Sequence, residues 1–535
     1  MTQPGRIRAP RKHGAIESVP PISQLPAGVA ANRTLLLYGG CPVLGRNWLD
    51  LRKEAGRAAL EAAVAYQQRV GQPVPPLKST SIVMAGHQPE LFHPGVWVKN
   101  FALNGLAQAT QAIPLNLVVD NDTVKSTSIR LPVQTEQTES KLARVIQIPF
   151  DERTSETPYE EYEVRDEELF RSLPERVAAH TSGWGFEPFL NTLWKELVSQ
   201  GERVKLLGER IAATRRKFER DWGCTNLEIP VSDLNRTEPF AWFACDVLDR
   251  LPEFRLHYNQ SVEDYRQQYG IRSRSHPVPN LALEGEWIEA PFWSWEHGQT
   301  RRGRLYARLT PDRIELRSDA AEWPSLPRPQ GADGQATVKA YQDLNRRGLQ
   351  IRSRALSNTL YCRLFVGDYF LHGIGGGKYD EVTDALARAF YRIQPPSYGV
   401  LTATLLLPLQ HWHASTQAVH ELERRVRDLE YNPERFFGDE QQFNELALRL
   451  MERKKKLVAE EPSSHPAKKQ RFLDLRDVNA RLAAFVIRDR EHAVGLLEDS
   501  RHEVTANAIL DSRDYSFCLY PATLLREFMT RFLAG

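Results

Sequence analysis

Apolar and polar positions alternate between two periods along this chain. Over Trp48 to Val70, "WLDLRKEAGRAALEAAVAYQQRV", apolar residues recur three and four apart among Ala, Leu, Glu and Arg, which predicts a helix stopped by Gly71. "STSIVMAGHQ" is a short β-branched run closed by glycine, "WVKNFALNGLAQATQA" returns to helical spacing after Pro94 and Gly95, and "IPLNLVVDND" is a second short apolar run ending in acids. Strand, turn, helix, strand is the unit of a parallel sheet, whose ligands collect at the carboxyl ends of the strands.

From about residue 151 to 330 the texture turns tryptophan-rich and charged with broken periodicity, as in "EAPFWSWEHGQTRRGRLYARLTPDRIEL". This is the expectation of an inserted domain, with "RSDAAEWPSLPRPQGADGQATV" as a linker or surface loop at its end. "SRALSNTLYCRLFVGDYFLHGIGGGKYDEVTDALARAFY" then reads as helix, triple-glycine turn and helix, returning to the core. Beyond residue 415, Leu446, Leu450 and Leu457 form one stripe and Leu475, Val478, Leu482 and Phe485 another, with "AEEPSSHPAKK" between them, so the spacing predicts an antiparallel coiled-coil hairpin.

The expected fold class is therefore α/β: a Rossmann-like core with an inserted domain and a C-terminal antiparallel coiled-coil hairpin. The expected boundaries are a flexible lead-in over 1–35, core over 36–150, insertion over 151–330, core again over 331–414, hairpin over 415–508, and a segment over 509–535 that packs back on the core.

Composition narrows the class. The chain has 535 residues with 41% hydrophobic and 26% charged, which suits a multidomain globular protein. The formal charge of +2 gives little reason to expect nucleic acid, and Pro, Gly and Arg interrupt the apolar runs of the N-terminus, so no membrane partner is expected. Five scattered cysteines fit a cytoplasmic location.

The chemistry concentrates in two blocks. In "MAGHQPELFHPGVWVKN", Gly86 permits close backbone approach, His87 and Gln88 offer directed hydrogen bonds, and His93 precedes a helix whose free amides favour an anion that Lys99 could reach. The order His93, Pro94, Gly95 is similar to the histidine motif of nucleotidylyl transferases, with Val96 in place of the second histidine. Asp120, Asn121 and Asp122 end the next strand and could orient an acceptor, take a proton or hold a metal ion; as a turn and helix cap they have an equally ordinary reading. In "GDYFLHGIGGGKYDE" the glycines, among them Gly375 and Gly376, let backbone wrap a ligand, and Lys378 could neutralise it, although the P-loop spacing is missing. "HWH" at His411 and His413 lacks a third zinc ligand, the lysines at 454–456 read as a solvated face in preference to an RNA contact, and "RRGRLYARL", with Arg301, Arg302 and Arg304, reads as a charged strand face in preference to a dock for an anionic group.

Together these blocks resemble the bacillithiol biosynthesis cysteine-adding enzyme family. Gly86, Gln88, Leu91 and Phe92 match its "GQQ" strand end and following leucine, with His87 at the middle glutamine and Pro94-Gly95 reversing its Gly-Pro turn. Asp120, Asn121 and Asp122 look like its "DHD", and Arg363, Leu364, Asp368, Leu371, Gly375, Gly376 and Glu381 resemble its later block, with His372 where proline is expected. The resemblance implies a divergent ligase-like enzyme that joins an amino acid or thiol to a small acceptor, as the family joins cysteine to glucosaminyl malate. The candidate catalytic residues are His87, His93, Asp120 and Asp122. The candidate substrate-binding residues are Gly86, Gln88, Lys99, Asn121, Asp368, His372, Gly375, Gly376, Lys378, Tyr379 and Glu381, with no metal site assigned. The cofactor stays open, ATP or another nucleotide being the candidate, and the partners are a small-molecule substrate and, through the coiled coil, a second copy. The alternative is a non-catalytic metabolite-binding or assembly protein that uses the same pocket.

Overall fold

A computed structural model of the chain describes residues 7–134, 142–152, 156–319, 321–331, 333–438 and 444–533. The protein is mixed α/β. In chain order the strands are β1 (Ala15–Val19), β2 (Ile82–His87), β3 (Ile113–Val118), β4 (Ser128–Gln134), β5 (Ala143–Pro149), β6 (Leu227–Pro230), β7 (Leu283–Glu284), β8 (Trp287–Glu296), β9 (Gly303–Leu309), β10 (Arg313–Ser318), β11 (Glu322–Pro327), β12 (Leu349–Ser353), β13 (Tyr369–His372) and β14 (Gly399–Thr404).

The main sheet has the order β1-β14-β13-β2-β3-β6, parallel except for β1, which runs antiparallel to β14. Counted along the chain, its five parallel strands lie in the order 3-2-1-4-5, and the direction of travel reverses between β2 and β13. Ile82, Val83, Met84 and Ala85 are all buried because helices cover both faces of the strand, the pattern of a parallel sheet. Ile82, Met84, Leu115, Leu117 and Phe370 face a core shared with helices Trp48–Arg69 and Ile374–Phe390. Helix Pro94–Thr110 packs against β2, β3 and β14.

The helix predicted from Trp48 begins where the sequence places it, and the one expected after Gly95 begins earlier, at Pro94, with Gly95 inside its first turn. Asn47 caps Trp48–Arg69 by accepting from the amides of Leu49 and Asp50, and His93 caps Pro94–Thr110 through Nδ1, which accepts from the Gly95 amide at 3.1 Å. The triple glycine is a correction. It forms no separate turn but the first turn of Ile374–Phe390, which starts directly at the end of β13. A Cβ at Gly377 would meet Val400 Cγ2 at 2.4 Å and one at Gly376 would meet His372 Nδ1 at 2.7 Å, so these glycines let the helix lie against the sheet.

Two further expectations change. The lead-in expected over 1–35 supplies β1 and helix Leu25–Leu35 from Ala15 onward, and the side-chain amide of Asn32 donates to the carbonyls of Asp368 and Ser397 at 2.8 and 2.7 Å; residues 1–6 lie outside the described residues. The boundary expected at 330 falls inside an antiparallel sheet of order β11-β10-β9-β8-β12, whose Phe292, Leu305 and Leu316 share one apolar core with the main sheet. β11 occupies part of the expected linker, because Trp323 and Leu326 are buried in that core despite the surrounding prolines.

By its internal contacts the chain divides into two units: one runs up to Leu131, over Gln147–Leu407 and from Arg513 on, and the other comprises Pro132–Ile146 and Pro408–Ser512. The second unit contains helices Thr416–Tyr431, Glu445–Ala459, His465–Ala483 and Ile487–Leu510. The second and third are the expected hairpin, but their core of Leu450, Leu457, Val478 and Leu482 also takes in Leu429 and Ala493 from the flanking helices, which makes a four-helix arrangement. Leu446 of the predicted stripe is exposed. Lys454 is buried instead of solvated, because Nζ donates to the Tyr431 carbonyl at 2.6 Å and pairs with Glu434. His411 Nε2 lies 2.8 Å from Asp511 Oδ1. No described helix is long and apolar enough to cross a membrane.

Close packing at the glycine helix yields a contrast. Gly377→Ala should destabilise the protein by about 1–3 kcal/mol through overpacking against Val400. Gly375→Ala, whose Cβ meets nothing within 4 Å, should be neutral or stabilising by up to about 1 kcal/mol in urea unfolding.

Candidate functional site

β2 and β13 are direct neighbours, with Val83 opposite Tyr369 and Ala85 opposite Leu371. Their carboxyl ends therefore deliver Gly86-His87 and His372-Gly373 side by side, and the two predicted blocks meet at the point where strand order reverses. Helices Pro94–Thr110 and Ile374–Phe390 both start at this edge and turn their amino termini toward it. Among the described residues no side chain caps the second helix, which leaves early amides of its glycine turn open to a ligand.

Lys99 lies between the two ends. It is 3% exposed, its Nζ donates to the Gly86 carbonyl at 3.3 Å, and an added Cβ on Gly373 would sit 3.5 Å from that nitrogen. No carboxylate pairs with it among the described residues, and burial pushes its ammonium down from 10.5 to about 8. It is still charged at neutral pH, in a place where an unpaired charge is costly.

The imidazoles behave differently. His87 Nδ1 lies 3.2 Å from the Gln88 carbonyl and its ring meets Phe92 edge-on at 5.0 Å; burial, then the Lys99 charge, push it down to about 3. The His93 Nε2 is 3.5 Å from Arg513 Nη2, which also donates to Thr402 Oγ1 at 3.2 Å; burial, then Arg513, lower it to about 4. Both rings are neutral at physiological pH and serve as hydrogen-bonding groups.

The acids divide by role. Asp120 accepts from the Ser232 amide at 3.0 Å and from the Ser232 hydroxyl, joining the ends of β3 and β6, and burial followed by the nearby Glu160 raises it to about 8. Asn121 donates to the Ser353 carbonyl at 2.7 Å, a packing role. Asp122 is the more open of the two carboxylates: Oδ2 accepts from Gln88 Nε2 at 2.9 Å and Oδ1 from Arg302 Nη2 at 2.8 Å. Burial alone would raise it, but the Gln88 hydrogen bond and the Arg302 charge prevail and hold it below its ordinary value. Arg302 in turn stacks over Trp293 at 4.3 Å.

Other predicted residues are placed apart. His372 reaches the same edge but points to the opposite face from His87, since successive strand residues alternate; it is buried on Phe370 with Nε2 2.5 Å from Asp380 Oδ2. Asp368 stands at the amino end of β13, bound to Arg52 at 2.6 Å and Ser81 Oγ at 2.5 Å, so it does not join the crevice. Glu381 accepts the Tyr269 hydroxyl at 2.9 and 2.7 Å, Tyr379 meets the His276 ring edge-on, and both, with Lys378, lie on helix Ile374–Phe390, while Gly375 is open to solvent at its start. Arg513, Thr402, Ser232 and Arg302 were missed or read as ordinary surface, because only the fold brings them to these strand ends. Among the described residues no three His, Cys, Asp or Glu side chains form a group that could hold a metal ion.

The depressed histidines set an acid dependence with a definite sign. The unfolded chain takes up protons near 6.5, while folded His87 and His93 refuse them until about 3 and 4, so their contribution is intact above 6.5 and is lost as pH falls toward 4. Each can contribute at most about 1.4 kcal/mol per pH unit. Histidine NMR should show both rings neutral at pH 5.5, and His87→Leu should flatten the fall of urea stability between pH 6.5 and 4.5.

No protein-family model and no curated protein matches this sequence.

Proposed function

We propose that the crevice between the ends of β2 and β13 binds the phosphate or carboxylate of a small-molecule substrate or nucleotide, and that the protein is a ligase-like enzyme with a Rossmann-like core. The strand order supports the core reading, since 3-2-1-4-5 places a switch point beside β2, where such sheets bind ligands. The observation that carries the site is Lys99, a buried ammonium with no counter-charge among the described residues, set between Gly86, Gly373 and a helix that none of them caps. An anion there would offset the desolvation of the lysine and meet free amides on the same side.

The residues take distinct parts in this reading. Lys99 and the glycine-helix amides hold the anion; neutral His87 and Gln88 direct hydrogen bonds along its flank. Asp122, ionised and partly exposed, orients the amine or thiol of an acceptor, with Arg302 and Gln88 fixing its carboxylate. Asp120, whose oxygens are taken by Ser232, holds the strand ends in place. The joining of an amino acid or thiol to an acceptor comes from the resemblance to the cysteine-adding family, and ATP or another nucleotide is the candidate anion. The competing reading, a metabolite-binding protein without turnover, draws on the same geometry: neither imidazole is poised near pH 7 to shuttle protons.

Calorimetry with ATP and with inorganic pyrophosphate tests the site. Affinity should fall about tenfold between pH 7 and 9 as Lys99 deprotonates above about 8, and Lys99→Met should weaken binding by at least tenfold and remove that pH dependence. Mass spectrometry of mixtures holding ATP, cysteine and glucosaminyl malate should reveal a condensed product. Binding without product in mixtures of varied acceptors would favour the metabolite-binding reading, and unaltered binding by Lys99→Met would remove the site.

A further inference from the structure

At the opposite ends of β2 and β13 lies a separate feature, a cavity of about 1060 Å³. Ligand sites usually span about 300–1,000 Å³, so it is large enough for a sizeable molecule. Four segments wall it: the end of helix Leu25–Leu35 and the residues after it, the outer side of helix Trp48–Arg69, residues 77–81 leading into β2, and Val366 with Asp368 just before β13.

Helix Trp48–Arg69 is apolar on two sides. Leu51, Ala55, Ala59 and Ala63 enter the core, while Leu49, Gly56, Leu60 and Val64 line the cavity, Leu49 and Leu60 also touching the edge of that core. Leu37 and Leu77 complete the apolar wall and are 60% and 44% exposed, a cost in water that a bound apolar molecule would remove. Gly56 keeps the floor open: a Cβ there would make only ordinary contacts of 3.7 Å with Ile82 and the Val366 carbonyl.

The charges at the rim favour an anion. Arg33, Arg52, Lys53 and Arg57 line the cavity against Glu54, Glu61 and Asp368. Glu54 is neutralised from outside by Arg46 at 2.6 Å, and Asp368 is held by Arg52 at 2.6 Å. That leaves Arg33, Lys53 and Arg57 against Glu61. Arg33 is anchored by Ser81 Oγ at 2.8 Å and the Thr110 carbonyl at 2.7 Å and shares Asp368, at a longer 3.9 Å, with Arg52, so it is a second cation on one carboxylate and is still partly open to the cavity. Lys53 has only a loose pairing with Asp50 at 3.7 Å, and Arg57 pairs with no carboxylate among the described residues.

We propose that this cavity is a binding site for an anionic amphiphile, specifically a free single-chain carboxylate whose apolar chain lies along Leu49, Gly56, Leu60 and Val64 and whose head meets Arg33 and Arg57. The site is independent of the crevice at the other ends of the strands. It needs neither that crevice nor any turnover to be real.

Dodecanoate binding to the full chain, read by calorimetry and by the rise in Tm, tests it. Saturable one-to-one binding is expected, with affinity rising roughly fourfold per added methylene from octanoate upward. Gly56→Trp, whose Cβ makes only ordinary contacts, should crowd the floor and abolish binding, with circular dichroism and urea unfolding checking that the variant folds; Arg33→Gln combined with Arg57→Gln should weaken it at least tenfold. Equal binding of the uncharged dodecanol, or dodecanoate binding untouched by Gly56→Trp, would overturn the proposal. It would equally be overturned by binding only to phosphatidylglycerol vesicles, or by a dimer in sedimentation that Gly56→Trp dissociates, since the groove would then belong to a lipid surface or to a second copy.

Discussion

The pairing of β2 with β13 is the constraint on which the rest of this protein depends. Residues far apart in the chain are held in register by a clamp at one end: Asp368 accepts from the Ile82 amide, the Ser81 hydroxyl and Arg52, and Asn32 binds its carbonyl. With that end fixed, the ladder runs Tyr369 to Val83 and Leu371 to Ala85, and His372-Gly373 can emerge only beside Gly86-His87. A slip of one residue would exchange the faces of His372 and Phe370 with those of Tyr369 and Leu371 and break the His372–Asp380 contact. Asp368 looked like a ligand residue in the sequence; its work is to set the geometry from the far side of the sheet.

The crevice concentrates positive charge without positive histidines. Burial makes the imidazoles of His87 and His93 give up protons readily, and it does so while Lys99 and Arg513 stand next to them. In the proposed site the neutral rings would meet an anion as hydrogen-bond partners, and the full charges would come from two residues whose protonation persists at neutral pH. Asp122 stays ionised a short way along the edge, so the two signs are kept on neighbouring strand ends by the Gln88 bridge.

Local pattern carried much of the main sheet and little of what attaches to it. The runs at 82–87 and 113–118 and the helices at 48–69 and 94–110 were legible because burial on two faces, or on one helical stripe, leaves a direct mark on residue type. β11 was not, since Trp323 and Leu326 are set among prolines that ordinarily end strands, and tertiary burial outweighed that preference. The glycines at 375–377 suggested a loop because conformational freedom and close packing require the same residue. Lys454 looked solvated for a related reason: a lysine in a basic run gives no sign that a helix end, at Tyr431 and Glu434, waits to receive it. Of the site, the strand-end clusters were readable and Arg513, Thr402 and Ser232 were not, because nothing near them in the chain distinguishes them from ordinary polar residues.

β1 is translated well before its partner β14. At synthesis rates of about 5–20 residues per second the nascent chain carries this strand unmatched for roughly tens of seconds. During that interval Ala15–Val19 is a short segment with polar Glu17 and Ser18 inside it, a composition that discourages pairing with neighbouring nascent chains. The order of manufacture thus places a solubility requirement on β1 that the finished sheet, with that strand paired to β14, no longer displays.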